Sequence, residues 1–350
     1  MSRDETQIIK GLAILMMLWL HLFMNLDIAN TCINFLYIGD LPFSNFLSKA
    51  CNPVDLYLLL GGYGLYCVYL KGKDNRRFTR IVKLYIHYWI IILLIVPLIY
   101  FFSSKGITIG TTFSIIKNIT AFRVTWDEPC CFLFPYSIIY LSYPLLFHCL
   151  DKFKIFIILL CVLLLSLIQD FLYSNYSSFI RSHSIIYVIN NTIGYLLPFF
   201  IGAAMKKSRL IERLRKKYEI TCKSSILFFV LFVSLIILKC VIRTRWYNIY
   251  EFAFVLLFLF MCRPRFIDKF LWYMGKHSMN IWMIHFMVYF YFEEFVYSFK
   301  FPILIWLCLT GVSLIISYIV DFIAKLIEKP LFASKLQKHT YKRNKTEHIT

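Results

Sequence analysis

Two ionisable side chains lie within the first long apolar segment of this 350-residue chain, TQIIKGLAILMMLWLHLFMNL. On an α-helix, His21 returns to within about 20° of Lys10 and lies about 16 Å further along the axis. An ionisable group at bilayer depth costs roughly 2.5 to 3.5 kcal/mol, so it usually faces a protein interior or an aqueous cavity. The shared face therefore predicts an active site. Helix geometry leaves open an interfacial Lys10 anchor and a hydrogen-bonded core His21.

A carboxylate opens the second apolar segment, NPVDLYLLLGGYGLY. Asp55 lies near the start of this segment and His21 near the end of the first, so antiparallel neighbouring helices would place both at one depth. A carboxylate bonded to one imidazole nitrogen raises the basicity of the other, as a general base requires. Asp55 can instead cap the helix start. Gly61, Gly62 and Gly64 predict close helix packing or a bend that shapes a cavity.

A basic motif, RRFTR, follows directly after the second apolar segment. Arg77 and Arg80 lie one helical turn apart, and guanidinium groups at this spacing can clamp a phosphate or pyrophosphate. The motif therefore predicts a phosphate site. The alternative is a basic loop that only sets the orientation of the chain in the membrane.

A polar stripe crosses a later apolar segment, LWYMGKHSMNIWMIHFMVYFYF. Ser278, Trp282 and His285 lie on one helical face. His285 lies about 21 Å along the helix from Leu271, which matches the depth predicted for His21. The two histidines are thus predicted to line one chamber. The open alternative is a stripe that only joins helices by hydrogen bonds.

The composition predicts an all-α, polytopic integral membrane bundle. The chain is 60% hydrophobic, against about 45 to 50% in soluble domains. Links after the even-numbered apolar segments are rich in Lys and Arg, so the positive-inside rule places both termini in the cytoplasm. Windows of about twenty apolar residues predict ten spans, at residues 8–26, 53–70, 81–102, 130–150, 153–171, 184–205, 224–241, 247–261, 271–292 and 302–324.

Charge and cysteine usage narrow the possible partners. The 38 basic residues against 19 acidic ones flank apolar segments rather than forming a basic domain, so we predict no nucleic-acid partner. The 11 cysteines show no CxxC spacing, and we predict no metal site. A disulfide on the outer face stays open, because four cysteines lie in or beside segments assigned there: Cys32, Cys51, Cys130 and Cys131.

Four stretches, in chain order, resemble the multi-spanning acyltransferase 3 family: IIKGLAILMMLWLHLF, VDLYLLLGGYGLY with RRFTR after it, YLLPFFIGAAMKK and MGKHSMNIWMIHF. The family's basic residue and histidine match Lys10 and His21, which implies that His21 is the catalytic histidine. Its paired arginines match Arg77 and Arg80, which implies acyl-donor binding. The fourth span, CCFLFPYSIIYLSYPLLF, departs from the acidic block or Trp-Phe pair of many relatives. That departure leaves the acceptor side undefined.

The resemblance implies a membrane acyltransferase domain at residues 1–330, followed by a cytoplasmic basic tail at 331–350. The implied reaction transfers an acetyl group from acetyl-CoA to a hydroxyl of a cell-surface polysaccharide or lipid-linked glycan at the cell membrane. Acyl-CoA is a co-substrate, and no cofactor is predicted. A transporter or flippase for lipid-linked sugars is the alternative.

The predicted site residues fall into three groups: catalytic residues, residues that bind the acyl donor, and residues that line the chamber or contact the acceptor. In this order, they are His21, Asp55 and His285; Lys10, Arg77 and Arg80; and Ser278 and Trp282.

Overall fold

The computed structural model describes residues 1–72, 76–218, 221–242 and 246–347, with side chains up to residue 332 except at 222–223. Two sequence predictions fall partly outside these residues. They are the basic link after the second predicted span, at 73–75, and the end of the basic tail, at 348–350.

The described residues fold almost entirely into helices, with one short antiparallel hairpin and one 3-10 turn. In chain order the elements are α1 (Arg3–Phe23), α2 (Leu26–Thr31), β1 (Tyr37–Ile38), β2 (Leu41–Pro42), α3 (Phe43–Ser48), α4 (Pro53–Leu70), α5 (Arg77–Phe102), α6 (Thr112–Ile119), the 3-10 turn (Glu128–Phe132), α7 (Leu133–Lys152), α8 (Ile155–Ser182), α9 (Ser184–Lys207), α10 (Leu210–Lys217), α11 (Cys222–Val241), α12 (Ile249–Phe260), α13 (Arg265–Tyr291), α14 (Glu293–Tyr297) and α15 (Pro302–Glu347).

These elements confirm the predicted all-α class, and eight helical stretches within the described residues are long and apolar enough to cross a membrane. α12 is shorter, with 12 residues, or about 18 Å against a hydrocarbon core of about 30 Å. α13 is 27 residues long but carries polar residues along its buried face. The count of ten spans and the cytoplasmic placement of both termini stay predictions. The eight stretches are Arg3–Phe23, Phe43–Leu70, Arg77–Phe102, Glu128–Lys152, Ile155–Ser182, Ser184–Lys207, Ser224–Val241 and Pro302–Phe332.

The start of α1 is fixed by its own sequence. The Ser2 hydroxyl accepts from the Glu5 backbone N–H at 3.1 Å, and the Glu5 carboxylate accepts from the Ser2 backbone N–H at 2.6 Å. This capping box satisfies two N–H groups that the helix leaves unpaired, and the acidic side chains of the first turn favour the positive end of the helix dipole. At the other end, the Asn45 amide donates to the Phe23 and Met24 carbonyls.

A reciprocal glycine contact brings α1 against α13. A Cβ added to Gly11 would lie 1.8 Å from the Leu271 carbonyl oxygen, and one added to Gly275 would lie 2.0 Å from the Gln7 carbonyl oxygen. Only glycine permits this separation, because the two backbones are already in contact. The contact therefore holds α1 and α13 side by side at the level of Lys10 and Ser278.

A second reciprocal pair joins α4 to α9. A Cβ on Gly62 would lie 1.9 Å from the Phe199 carbonyl oxygen, and one on Gly202 would lie 1.9 Å from the Leu59 carbonyl oxygen. The predicted close packing of the glycines in α4 is thus confirmed at Gly62. Gly64 has open space around its position, and Gly61 lines the cavity described next.

α15 continues beyond the membrane-length stretch to Glu347. The segment predicted as a separate basic tail, 331–350, thus begins inside a helix. α15 packs on α13 and on α5, which brings Glu328 to the first turns of α5.

Candidate active site

A cavity of about 460 Å³ lies among α1, α4, α5, α7, α13 and α15. Four of the predicted site residues line it, namely Lys10, Arg80, Ser278 and Trp282. The rest of the lining is largely aromatic or aliphatic. One end, which we call the mouth, is formed by the first turns of α5 and by α15, and its residues are Arg80, Lys83, His87 and Glu328.

α1 supplies a continuous side of this cavity. Lys10 and Met17 both line it and lie two helical turns apart on one face. His21 is one further turn along the same face, beyond the cavity-lining Met17. The hydroxyl of Tyr57 donates to the Lys10 carbonyl at 3.1 Å, which ties α4 to this side.

The structure brings His21 and His285 together beyond Trp282. Their ring centroids are 5.0 Å apart, and the ring of Tyr289 stacks against both, at 6.1 Å from His21 and 6.2 Å from His285. His285 is fully buried, whereas His21 is half-buried. The depth matching made from sequence therefore identified two true neighbours, whose catalytic roles stay predictions.

The hydrogen bonds of His285 fix which ring nitrogen carries its proton. Nδ1 lies 2.7 Å from the Trp282 carbonyl and 3.2 Å from the Ile281 carbonyl. Because carbonyls only accept, Nδ1 must be the donor, and the neutral ring presents a lone pair at Nε2. Nε2 is buried and has no hydrogen-bond partner among the described residues. This atom can accept a hydrogen bond but cannot donate one to an oxyanion while the ring is neutral.

Asp55 belongs to a cluster of carboxylates and carboxamides. Its Oδ2 accepts from the Asn52 amide at 2.8 Å and from the Asn248 amide at 2.7 Å. The same two amides donate to Glu251, at 2.7 Å from Asn52 and 3.4 Å from Asn248. The ring contacts of His21 are with His285 and Tyr289, so a pairing of Asp55 with His21 stays a prediction. Asp55 lies in the first turn of α4. The alternative prediction, that its carboxylate stabilises the start of this helix, is therefore also consistent with the structure.

Glu251 was missed by the sequence interpretation, although an acid inside an apolar segment is the kind of residue that marks a buried polar site. It is only 2% exposed. Two carboxylates that share two amide donors tie the start of α4 to the start of α12, at the end of α4 opposite its basic link.

The two arginines of RRFTR have different surroundings. Arg80 lines the cavity, and its Nη1 donates to the Tyr140 hydroxyl at 3.2 Å. Arg77 donates to the Leu141 carbonyl at 3.0 Å, lies 5.8 Å from the Tyr143 ring centroid, and is not among the described residues that line the cavity. The geometry therefore supports Arg80 more directly than Arg77 as a ligand of a group in the mouth.

The mouth also holds charged residues that the sequence interpretation missed. Lys83 forms an ion pair with Glu328, and His87 Nε2 lies 3.7 Å from Glu328 Oε1. The signal was present, because Lys83 continues the one-turn spacing of Arg77 and Arg80. Glu328 was not identifiable in this way, since it lies far away in the sequence.

Phe132 and Tyr136, which we call the aromatic wall, line the cavity next to Trp282. The Phe132 ring lies 5.4 Å from the Trp282 ring at 90°, and it stacks on Tyr136 at 5.3 Å. These residues come from the fourth predicted span, whose sequence departs from the family pattern. The departure thus falls on the cavity wall.

The four cysteines assigned to the outer face form no disulfide in the structure: Cys32, Cys51, Cys130 and Cys131. The Cys130 thiol lies 2.8 Å from Asp127 Oδ2, and burial raises the pKa of the Asp127 carboxyl to about 7. Among the described residues, no group of three or more His, Cys, Asp or Glu side chains is arranged to hold a metal ion.

Comparison with known proteins gives one match. Residues 5–322 match the acyltransferase domain of the acyltransferase 3 family, which is nearly the whole chain. The searches of curated proteins and of solved structures return no match. The matched range contains every predicted site residue, from Lys10 to His285. With a family match over this length, and a helical fold that carries eight membrane-length stretches, the chain is a member of the acyltransferase 3 family of membrane acyltransferases.

Proposed function

We propose that this protein transfers an acetyl group from acetyl-CoA to a hydroxyl of a cell-surface polysaccharide or lipid-linked glycan, in the cell membrane. The observation that carries the proposal is one cavity with cations at its mouth and Lys10 on α1, and the same face of α1 continues to His21, which contacts the buried His285. A thioester donor with a charged head and a long uncharged arm fits such a cavity, because each part meets side chains of matching polarity.

The mouth is the proposed site for the donor phosphates. Arg80 and Lys83 both line it, and a guanidinium bound to a phosphate makes charge-assisted hydrogen bonds. Beyond them the arm would pass Lys10, Trp282 and the aromatic wall that Trp282 contacts. The reacting carbonyl would then lie near His21.

His21 is the proposed general base. It would take the proton of the acceptor hydroxyl while that oxygen attacks the thioester carbonyl, and would return the proton to the departing CoA sulfur. A positioned base of this kind contributes roughly 10²- to 10⁴-fold in rate. An acyl-histidine intermediate is an alternative route for the same residue. Attack by the His21 nitrogen on the carbonyl would release CoA before the acceptor arrives.

His285 is proposed to hold the acceptor. Its Nδ1 proton is bonded to backbone carbonyls, so Nε2 presents a lone pair on a ring whose centroid lies 5.0 Å from that of His21. That lone pair can accept a hydrogen bond from a second hydroxyl of the acceptor and so orient the molecule, while the proton of the reacting hydroxyl goes to His21. Because the only proton of the neutral ring is on Nδ1, Nε2 can accept a hydrogen bond from the acceptor but cannot donate one to an oxyanion.

The test is direct. Purified protein would be incubated with acetyl-CoA carrying a labelled acetyl group and with candidate glycans, and the label on the glycan would be measured. Transfer that is lost in His21→Ala supports the proposal. A protein that moves lipid-linked glycan across vesicle membranes without moving label to it would instead be a transporter or flippase, and the proposal would be wrong.

A further inference from the structure

An ion pair spans the mouth of the cavity. Lys83 of α5 and Glu328 of α15 are bonded to each other, and both line the cavity. The charge of Lys83 is therefore paired with that of a residue from a different helix at the mouth of the cavity. The Lys83 side chain is 41% exposed, so the pair is accessible from outside the cavity.

Lys83 has the spacing needed to act together with Arg80. It lies one turn further along α5, on the same helical face, and both side chains line the same cavity. Coenzyme A carries a pyrophosphate and a separate phosphate on its ribose, so one guanidinium satisfies only part of its charge. A second cation one turn deeper would meet the part of the donor nearer the acyl group.

Glu328 has polar neighbours that do not depend on Lys83. The Asn280 amide donates to Asp321 Oδ1 at 2.8 Å, so its carbonyl oxygen faces His87 Nδ1, also at 2.8 Å. His87 Nδ1 is therefore the donor, and its Nε2 faces Glu328 at 3.7 Å. His87 can therefore replace Lys83 as the partner of Glu328 when its ring carries a second proton, because only then does Nε2 donate.

We propose that Lys83 is a further ligand of the donor phosphates, and that it exchanges Glu328 for a phosphate when the donor binds. Glu328 then acts as an internal competitor that sets donor affinity. This inference rests on the proposed function, because it takes the ligand of the mouth to be an acyl-CoA. It adds a residue and an exchange of partners that the basic motif RRFTR does not contain.

The experiment measures the dissociation constant of acetyl-CoA by calorimetry with the purified full-length protein. The variants are Lys83→Gln, Lys83→Arg, Glu328→Gln and the double Lys83→Gln/Glu328→Gln. Arg80→Gln tests the donor site itself. Lys105→Gln and Glu293→Gln are matched controls, because these residues form another lysine–glutamate pair, with 2.5 Å between Lys105 Nζ and Glu293 Oε2, outside the cavity lining.

Lys83→Gln should weaken acetyl-CoA binding by about 10-fold or more, which is the effect expected for the loss of one hydrogen bond to a charged group. Lys83→Arg should restore most of the affinity. Glu328→Gln should tighten binding by about 3- to 5-fold, since an exposed ion pair no longer has to be broken. The double variant should lie between wild type and Lys83→Gln. Both controls should bind within about twofold of wild type, because they leave the mouth unchanged.

Two outcomes would overturn the inference and leave the proposed donor site intact. In one, Arg80→Gln weakens binding while Lys83→Gln does not. In the other, Glu328→Gln weakens binding as much as Lys83→Gln, which would show that the pair only holds α5 and α15 together. If Arg80→Gln and Lys83→Gln both bind acetyl-CoA like wild type, the donor site at the mouth is itself wrong.

Discussion

The imidazole rings of His21 and His285 lie 5.0 Å apart between centroids, one on α1 and one on α13. The two helices are held in contact by Gly11 and Gly275, about two to three turns away from the histidines. A packing contact between backbones thus sets the distance between two side chains that can carry a proton.

Replacement of His21 by alanine should abolish acyl transfer, with a loss of roughly 10²- to 10⁴-fold if its role is that of a general base. Membrane insertion and abundance should stay near wild type, because alanine favours a helix and removes a polar group from the membrane interior. Labelled-acetyl transfer and the amount of folded protein would be measured together. Full activity in folded His21→Ala would remove this residue from the mechanism.

Replacement of Arg80 by glutamine should raise the donor KM by about 10- to 100-fold, which corresponds to roughly 1.5 to 3 kcal/mol for a hydrogen bond to a charged group. Arg77→Gln should have a smaller effect, since Arg77 contacts the Leu141 carbonyl and lies outside the cavity lining. Steady-state kinetics with varied acetyl-CoA would compare them. Wild-type kinetics in Arg80→Lys would mean that charge alone is needed, rather than the bidentate fork.

Replacement of His285 should lower kcat more than it alters donor affinity, because the donor phosphates would bind at the distant mouth. His285→Gln keeps hydrogen-bonding groups and should retain part of the activity, whereas His285→Ala should lose it. A histidine needed only for packing would give a different result, with a lower melting temperature in His285→Ala and normal turnover. Unchanged turnover in both variants would contradict a shared chamber.

Replacement of Gly11 by alanine should reduce both stability and activity. The added methyl group would meet the Leu271 carbonyl oxygen at 1.8 Å, so α1 and α13 must move apart. Overpacking of this kind costs typically 1 to 3 kcal/mol. The melting temperature and labelled-acetyl transfer would be compared with the matched variant Gly64→Ala.

Gly64 is also a helical glycine, but nothing lies near the position of its Cβ. Gly64→Ala should therefore keep full stability, or gain up to about 1 kcal/mol from helix propensity. Equal melting temperatures in the two variants would mean that the α1–α13 contact relaxes without cost.

Replacement of Asp127 by asparagine should remove a pH dependence of stability. Burial raises the pKa of this carboxyl from 3.8 to about 7, so the folded protein holds its proton more tightly than the unfolded chain does. Tighter proton binding by the folded protein contributes fully to its stability below pH 3.8, and this contribution is lost as the pH rises to about 7. Between pH 5 and 7 the wild type should lose up to about 3 kcal/mol relative to Asp127→Asn.

Melting temperatures of the two proteins across this pH range would check the expectation. Parallel curves would show that the Asp127 carboxyl is already ionised in the folded protein at pH 5.

The sequence by itself determined the helical class, most of the membrane-length segments and the fact that His21 and His285 lie at the same level of neighbouring helices. These properties follow from apolar length and from helix periodicity, which are local to each segment. Lys10, Arg80, Ser278 and Trp282 were also identified in this way, and they line one cavity. Local patterns were sufficient wherever a residue's position depended only on its own helix.

Apart from the proximity of His21 to His285, only the tertiary structure decided which residues meet across helices. The pairing of Lys83 with Glu328 joins residues 245 positions apart, and the shared amides of Asp55 and Glu251 join α4 to α12. Spacing along one segment contains no information about such contacts, because they depend on which helices pack together and at what rotation. That packing rests on backbone approaches at Gly11 with Gly275 and Gly62 with Gly202, where the missing side chains let two helices touch.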